Sequence, residues 1–471
     1  MAVSLIYKMK AVYNLLGFIA NCIKRIGFDK AIIYSSSSSL ISILGNLFTL
    51  GLIVKALTPI EQGYFFTFGS LISIQIFFEL GLNGIIVQFI AHESANVIMD
   101  GYNLKGNNNS ISRISSLFKF SFKWYLIFSF LLFFTLILWG KYFFSNFSNI
   151  NDSVNWEYPW ILIAFSTFLT LIITPFSAFL IGVGEINLAM RSQMFQQFIK
   201  VSTLIFLLYF KFNLYSIGIS TILSIIPLFY LFFYKRRAYF LFLKNYNVIE
   251  KINYKNEILP LQWKIALSWI SGYFIFQLFN PILFAREGAV MAGKMGLTLS
   301  VLNSISSISL VWVSTKTQIF SNYIAKNNFK ELDILFKTSI LQATFVMICL
   351  LSIFLISLQY ISISDTYIFG KSLNKRFLPN GAILIMSLSL LLNLWISAIA
   401  IYLRSHKKEP FLILSIFSAI LCSLSIIFFG KTYGLYGMTI TYLIVTIVIT
   451  IFAYNIFKRK KSIWHESNKI Y

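Results

Sequence analysis

The chain alternates long apolar runs with short polar connections. Runs of about 20 apolar residues recur along it, which is the length that an α-helix needs to cross the hydrocarbon core of a bilayer. A transmembrane β-barrel would instead show segments of about 10 residues that alternate in polarity. The pattern therefore predicts an all-α, polytopic integral membrane protein with hydrophobic spans near residues 31–56, 63–90, 119–140, 159–183, 187–210, 214–234, 264–285, 288–314, 339–360, 380–403, 410–429 and 433–457.

These twelve predicted spans form two groups of six. The longest polar stretch separates the sixth span from the seventh. The first 30 residues mix Lys and Arg with large apolar residues, which is typical of an amphipathic helix at a membrane surface. The predicted organisation is an amphipathic segment at 1–30, a six-helix N-lobe at 31–234, a cytoplasmic linker at 235–263, a six-helix C-lobe at 264–457 and a basic tail at 458–471.

The two groups of spans show a faint internal repeat. The segment TPIEQGYFFTFGSLISI (58–74) leads into the second span much as GAVMAGKMGLTLSVLNSI (288–305) runs through the eighth, which is the second span of its own group. Chance similarity between apolar runs is the alternative explanation. A repeat of six spans keeps its orientation in the membrane, so it would relate the two lobes by an axis along the membrane normal, as in many transporters.

The distribution of charge predicts the orientation. The chain is 58% hydrophobic and carries a net charge of +23. When alternate loops are assigned to one side, that side and the two termini carry 29 of the 39 Lys and Arg residues, the other side carries 9, and Lys200 lies within a span. Because basic loops stay in the cytoplasm, we expect both termini to be cytoplasmic. Nucleic-acid binding would need a basic folded surface outside the membrane, and no such domain is predicted.

The fifth predicted span carries the sharpest polar signal. Lys200 lies about midway across the bilayer, and three glutamines recur with it at intervals of three and four residues, so that they form one stripe on a helix. A charged ammonium there costs about 3 kcal/mol on insertion scales unless it faces water or a partner. The glutamines favour an aqueous cavity that binds substrate, and a structural ion pair is the alternative. The stripe consists of Gln193, Gln196, Gln197, Lys200 and Thr203.

Polar residues in and beside the seventh and eighth spans indicate the same lumen. Two of them precede Pro281, which is expected to bend the helix and free a backbone carbonyl. Hydrogen bonding between helices would explain isolated polar residues equally well. Arg286 would also fit an ion pair with Glu287 at the membrane boundary. The substrate-binding residues predicted in this region are Gln277, Asn280, Arg286 and Lys294.

Glu79 lies within the second span, in the stretch FFELGLNGIIVQFIAHE (77–93). Gly81 and Gly84 allow close packing or a bend in this helix. Acidic residues are scarce in the other spans, so Glu79 is the candidate for coupling transport to a proton or sodium gradient. A protonated, hydrogen-bonded structural glutamate is the alternative.

Neither catalysis nor metal binding is predicted. Cys22, Cys349 and Cys422 lack the spacing of metal ligands, and the three histidines have no neighbouring ligand pattern. A membrane polymerase or ligase that acts on lipid-linked sugars would display a large outward loop with converging acid and base groups, whereas the predicted outward loops are short. We therefore expect a protein without enzymatic activity, cofactor or metal.

Three passages resemble the Wzx-type polysaccharide flippases: ELGLNGIIVQFIAHE, FNPILFAREGAVMAGKMGLTLSV and WVSTKTQIFSNYIAKNNFKEL. This group is similar in turn to the exporter superfamily that includes multidrug antiporters and the lipid II flippase. The resemblance implies a V-shaped, MATE-like pair of six-helix lobes in the cell inner membrane. It also implies the cargo, an undecaprenyl-pyrophosphate-linked oligosaccharide that moves from the cytoplasmic to the periplasmic leaflet during O-antigen or capsule assembly.

The resemblance further implies partners and one site residue. Besides the lipid-linked substrate and membrane lipids, the implied partners are a polymerase and a chain-length regulator of the same pathway. In the lipid II flippase, cations of the central cavity hold the pyrophosphate, and one lies in helix 8, where AGK places Lys294 in this chain. Its counterpart in helix 2 has no match, because that region reads Gly69 and Ser70. Lys200 would substitute for it.

Physical chemistry independently favours an anionic cargo. A pyrophosphate crosses hydrocarbon only if cations and amide donors replace its water. A drug or ion antiporter of the same superfamily is the nearest alternative, and it predicts several carboxylates in the membrane, whereas the predicted spans hold basic groups. A purely structural scaffold would not need polar stripes in both halves.

Overall fold

Helices dominate the computed structural model, which describes residues 30–100, 103–148, 154–363, 367–368, 371–372, 374–406 and 408–467. The predicted amphipathic segment at 1–30 lies, apart from Lys30, outside the described residues. Two short antiparallel hairpins accompany the helices, Val97–Asp100 with Asn103–Gly106 and Tyr367–Ile368 with Lys371–Ser372.

In the part of the chain that the structure describes, the helices form twelve consecutive membrane spans. In chain order, spans 1 to 12 are Lys30–Ala56, Pro59–Glu79 with Leu82–Glu93, Asn108–Phe147, Glu157–Gly182, Ile186–Tyr209, Tyr215–Lys235, Tyr254–Glu287, Ala289–Ser314, Phe329–Ile363, Asn380–Ser405, Leu412–Leu424 with Ser425–Phe429, and Gly430–Ser467. Shorter helices outside the spans are Ser94–Asn96, Arg237–Asn245, Thr317–Ala325 and Asn374–Arg376.

Most of these spans meet a simple test of length and apolarity. Within the described residues, nine helices are long and apolar enough to cross a membrane, and the bent pair of span 2 adds a tenth. Span 5 is the eleventh, and its polar stripe lowers its hydropathy below the level of the others. The twelfth arises because the apolar stretch Leu412–His465 comprises two spans, with the non-helical Gly434 near the start of the second. The predicted all-α, polytopic architecture is confirmed.

Helix pairing is repeated in the two halves of the chain. In the first half, span 1 packs along span 5, and span 4 packs against spans 3 and 6. In the second half, span 7 packs along span 11, and span 10 packs against spans 9 and 12. The two lobes, spans 1–6 and spans 7–12, meet chiefly where span 2 lies against span 8.

Span 2 is broken directly after Glu79. Leu80 and Gly81 both have left-handed backbone conformations, with φ of 50° and 66°, and the helix bends by 41° between Glu79 and Leu82. A Cβ atom at Gly81 would lie 2.4 Å from the side chain of Ile265 in span 7. Glycine is therefore needed at this position both for the backbone conformation and for close packing.

The polar connections contain more helix than the hydropathy pattern predicts. The linker helix Arg237–Asn245 buries Tyr239, Phe240 and Leu243 against the N-lobe. The predicted tail at 458–471 continues span 12 as a helix to Ser467, because Lys and Arg are good helix formers and Trp464 is buried. We call the end where span 1 begins and span 12 ends the basic end of the molecule, and the other end the opposite end.

Candidate functional site

A cavity of about 380 Å³ lies between the two lobes, bordered by spans 1, 2, 5 and 8. We call it the central cavity. Phe65 and Phe66 of span 2 contribute aromatic surface, and most of the remaining lining is uncharged and polar. The polar lining residues are Ser42, Asn46, Thr49, Ser300, Asn303, Ser304 and Ser307.

Helical spacing explains why these polar side chains converge. Residues three and four positions apart share a helix face, and both span 1 and span 8 carry such a series. Thr49 donates through Oγ1 to backbone carbonyls of its own helix, at 2.8 Å from Asn46 O and 3.0 Å from Gly45 O, and its oxygen keeps acceptor capacity. Among the described residues, the exposed side-chain amides of Asn46 and Asn303 have no hydrogen-bond partner, so both are available to a polar ligand.

Lys200 lies on the face of span 5 that borders this cavity, although the described lining does not include it. Leu204, one turn further along, is a lining residue, and Val201 packs so closely on span 1 that a Cβ atom at Gly45 would lie 2.4 Å from it. The Lys200 side chain is accessible although protein atoms surround it densely, which is typical of a residue in a concave space. In the part of the chain that the structure describes, its ammonium forms no ion pair.

The glutamines of the predicted stripe extend this surface toward the basic end. All three are half-buried. With a rise of 1.5 Å per residue, the stripe from Lys200 to Gln193 is about 10 Å long. Arg191, two residues closer to the basic end, is exposed, and its guanidinium lies 5.7 Å from the ring centre of Phe195. The three glutamines and Lys200 thus form one polar stripe that ends beside the cavity, whereas Arg191, nine positions before Lys200, lies on the other face of the helix.

Lys294, by contrast, does not face the central cavity. It is half-buried in span 8 and, like Lys200, is absent from the described cavity lining. Nine residues separate it from Asn303, and at about 100° per residue this places the two side chains on opposite faces of the helix. Its predicted role in the same lumen stays a prediction, and in this conformation the helix geometry separates it from Lys200.

The two predicted residues of span 7 lie at a break in the helix. The span is interrupted between Phe276 and Phe279, and Gln277 is half-buried at the interruption. Asn280 is buried and donates through Nδ2 to Ser70 Oγ of span 2 at 3.0 Å, while its Oδ1 has no partner among the described residues. Asn280 thus bonds one lobe to the other in this conformation and does not line the cavity.

Arg286 and Glu287 do not form the ion pair that was the alternative explanation. Arg286 is exposed, and the described residues offer it no charged partner. Glu287 instead accepts through Oε1 a hydrogen bond of 2.6 Å from the backbone N–H of Leu435. That bond lies just after the kink at Gly434, which has a φ of 57°. The role of Glu287 is therefore to fix the backbone at this kink, near the start of span 12.

Glu79 lies at the break of span 2, beside span 3. It is half-buried, and the phenol of Tyr125 in span 3 lies close enough to interact with its charge. The Tyr125 hydroxyl is buried without a hydrogen-bond partner among the described residues. An acidic side chain beside an unsatisfied hydroxyl is an arrangement in which a change of protonation alters the local hydrogen bonding.

A hydrogen-bond network closes the cavity at the opposite end. Arg376, which is 4% exposed, donates through Nη1 to Gln62 Oε1 at 3.1 Å and through Nη2 to the carbonyl of Leu57 at 2.8 Å. Gln62 donates through Nε2 to the carbonyl of Gly293 at 2.8 Å. Burial lowers the pKa of the Arg376 guanidinium, and the charge of Glu61 opposes that effect. Because Arg376 follows span 9, the network joins the C-lobe to spans 1 and 2.

Close backbone packing completes this closure. A Cβ atom at Gly63 would lie 1.9 Å from the carbonyl oxygen of Ala289, and one at Gly293 would lie 2.8 Å from the nitrogen of Gly63. Spans 2 and 8 therefore touch backbone to backbone. An apolar cluster lies beside them, formed by Leu50, Ile53, Val54, Leu57, Leu208 and Leu297.

Sequence reasoning missed two parts of the site. Hydropathy treats span 1 as an apolar helix, yet its spacing of Ser42, Asn46 and Thr49 was a readable signal. Gln62 and Arg376 gave no such signal, because they are 314 positions apart and meet only in the folded chain.

No protein-family model and no curated protein matches this chain. Solved structures match over most of it. The inward-facing conformation of a multidrug resistance MATE family transporter of the MOP superfamily gives a TM-score of 0.71 at 16% identity, covering 93% of this chain and 99% of that one. An outward-facing conformation of such a transporter gives 0.54 at 15% identity, covering 93% and 97%.

The lipid II flippase MurJ, in an inward closed conformation, is also similar. Its TM-score is 0.60 at 16% identity, covering 90% of this chain and 86% of that one. The chain therefore has the fold that these transporters share, with two six-helix lobes, as predicted.

Proposed function

We propose that this protein is a flippase that moves an undecaprenyl-pyrophosphate-linked oligosaccharide from the cytoplasmic to the periplasmic leaflet of the inner membrane, for O-antigen or capsule assembly. The observation that carries the proposal is Lys200, a cation without an ion-pair partner among the described residues, beside a polar cavity between the lobes. In water-poor surroundings such a cation attracts an anion strongly. The described lining of the cavity includes no Asp or Glu.

The stripe of glutamines supports the pyrophosphate assignment. Side-chain amides donate hydrogen bonds to phosphate oxygens and replace part of the water that the anion loses. The hydroxyls, the free amides and the rings of Phe65 and Phe66 in the central cavity suit the sugar units. Their polar atoms bind hydroxyl groups, and the aromatic faces cover the apolar faces of the rings.

Alternating access gives the closure at the opposite end a functional role. The Lys and Arg bias supports placing the basic end in the cytoplasm. The structure would then be closed toward the periplasm by the network of Arg376 and Gln62, a state in which cargo is loaded from the cytoplasmic leaflet. The higher TM-score with an inward-facing transporter than with an outward-facing one supports this assignment.

Glu79 is our candidate for coupling this cycle to a proton or sodium gradient. Its position at the break of span 2 supports the role, because a charge change there acts on the helix that closes against span 8. If Glu79→Gln retains gradient-dependent transport in vesicles, the coupling residue is a different one. The polymerase and chain-length regulator of the same pathway remain proposed partners.

A drug or ion antiporter is the second candidate function. The observation that favours it is the fold overlap, which is larger with a multidrug transporter than with the lipid II flippase. Such a protein would protect cells against cationic drugs, and this protection would not depend on Lys200.

Complementation of a flippase-deficient strain tests the proposal. At equal expression, Lys200→Ala and Lys200→Glu should fail, and Lys200→Arg should restore part of the surface polysaccharide. The matched control is Lys326→Glu, which reverses an exposed charge beyond the cavity and should complement fully. Full activity of Lys200→Glu, or failure of the wild-type protein with every polysaccharide tested, would refute the assignment.

A further inference from the structure

A second, larger cavity opens between spans 9, 10 and 12 of the C-lobe. Its volume is about 590 Å³. The wall is formed mainly by large apolar side chains that remain accessible, among them Ile334, Leu341 and Tyr454, which are 52%, 59% and 57% exposed. Asp333, Lys337 and Lys461 line it toward the basic end. We call this cavity the C-lobe groove.

The N-lobe fills the corresponding position with its own chain. Spans 3, 4 and 6 are the N-lobe counterparts of spans 9, 10 and 12, and the linker helix packs on their ends. The ring of Phe240 lies 5.7 Å from that of Phe118 in span 3, 4.9 Å from that of Phe176 in span 4 and 5.9 Å from that of Phe232 in span 6. In the described residues of the C-lobe, no helix occupies this place, so apolar walls are left for another occupant.

The groove residues farther from the basic end suit a hydrocarbon chain. Trp395 donates through Nε1 to Thr344 Oγ1 at 3.0 Å, so the one polar atom of the indole is satisfied and its apolar faces remain. Water is poorly stabilised in such a space, because it would find few hydrogen-bond partners. A groove of this kind in a bilayer is filled by lipid chains.

Charged residues at the basic end of the groove favour anionic over neutral lipids. Lys461 Nζ lies 2.8 Å from Asp333 Oδ2, so these two charges offset each other. Lys337 is exposed and has no ion pair among the described residues. Lys461 also ends the run KRKK (458–461), whose helix supplies Tyr454 to the wall. Basic clusters just beyond a transmembrane helix attract anionic lipids.

We propose that the C-lobe groove binds an anionic phospholipid of the leaflet at the basic end. One acyl chain lies between spans 9 and 12, and the phosphate contacts Lys337 and the KRKK run. The site is separate from the central cavity, and the proposal does not depend on the identity of the cargo.

Native mass spectrometry of the purified full-length protein tests this site, with phosphatidylglycerol or phosphatidylcholine added to the detergent. Since each basic residue near a membrane surface contributes about fivefold in affinity for anionic lipid, wild type should bind phosphatidylglycerol at least about fivefold more tightly than phosphatidylcholine. Lys337→Gln should remove most of this preference. The control Lys330→Gln, an exposed cation of the same helix outside the groove wall, should keep it.

A second variant tests the chain-binding wall. Leu341→Trp adds bulk at an exposed position, which leaves the fold intact, and it should weaken binding of both lipids severalfold. Ile334→Trp provides the same test from a second position. Equal affinity of wild type for the two lipids, equal effects of Lys337→Gln and Lys330→Gln, or unchanged binding by both tryptophan variants would overturn the proposal.

Discussion

The network around Arg376 makes the most direct prediction about the conformational cycle. Arg376→Ala removes two hydrogen bonds between the lobes, to Gln62 and to the carbonyl of Leu57, and leaves the connection between spans 9 and 10 in place. We expect the closed arrangement at the opposite end to become less populated, because these bonds exist only while spans 2 and 8 are together.

The size of the effect follows from two opposing contributions. Hydrogen bonds with a charged donor stabilise by about 1.5–3 kcal/mol each, so the two bonds favour closure by about 3–6 kcal/mol. Burying the guanidinium costs several kcal/mol, and the alanine variant avoids this cost. The same burial lowers the pKa of the Arg376 guanidinium. A net loss of about 2 kcal/mol shifts the ratio of closed to open molecules by about 30-fold.

Spin-label distance measurements provide the assay. In a background without the native cysteines, labels at Tyr158 and Asn380 report on the opposite end, because both residues are exposed where spans 4 and 10 begin, one in each lobe. Arg376→Ala should add a population at longer distance. The matched control is Lys375→Ala, which removes an exposed neighbouring cation and should leave the distance distribution unchanged.

Two results would refute this reasoning. The first is an unchanged distance distribution in Arg376→Ala, which would mean that backbone packing alone maintains the closure. The second is an equal shift in Lys375→Ala, which would assign the effect to net charge. Arg376→Lys keeps the charge but lacks the paired donors, so it should fall between wild type and the alanine variant.

Three further predictions follow from the geometry. Gly63→Ala places a methyl group against the backbone of span 8, so it should shift the label distances as Arg376→Ala does. The control is Gly69→Ala, which should leave the distances unchanged because its added Cβ meets nothing within 4 Å. Arg113→Ala removes the partner of three carboxylates that join span 3 to span 2 and to the linker, so limited proteolysis should cleave near residues 246–253 faster than in wild type. A cysteine at position 200 should react with a hydrophilic maleimide, and protection in every condition would contradict an aqueous path to the cavity.

Local patterns in the sequence determined the number of spans and the polar face of span 5. Hydropathy predicted twelve spans because the length of an apolar run and the thickness of the bilayer are linked directly. The stripe around Lys200 was also readable, since helical periodicity alone decides which residues share a face. Gly81, two residues after Glu79, indicated either close packing or a bend of span 2, because backbone freedom is a property of the residue itself.

Only the tertiary structure decided which polar stripes of different helices face each other. Lys294 was predicted to share the lumen with Lys200, but the rotation of span 8 turns it away from Asn303, and a sequence does not fix how a helix is rotated against its neighbours. Asn280, predicted as a substrate ligand, bonds to span 2 in this conformation, and its contact with substrate stays a prediction. The contact of Gln62 with Arg376 depends on how two lobes pack, and such long-range packing is set by the shapes of many side chains together, which no local pattern encodes.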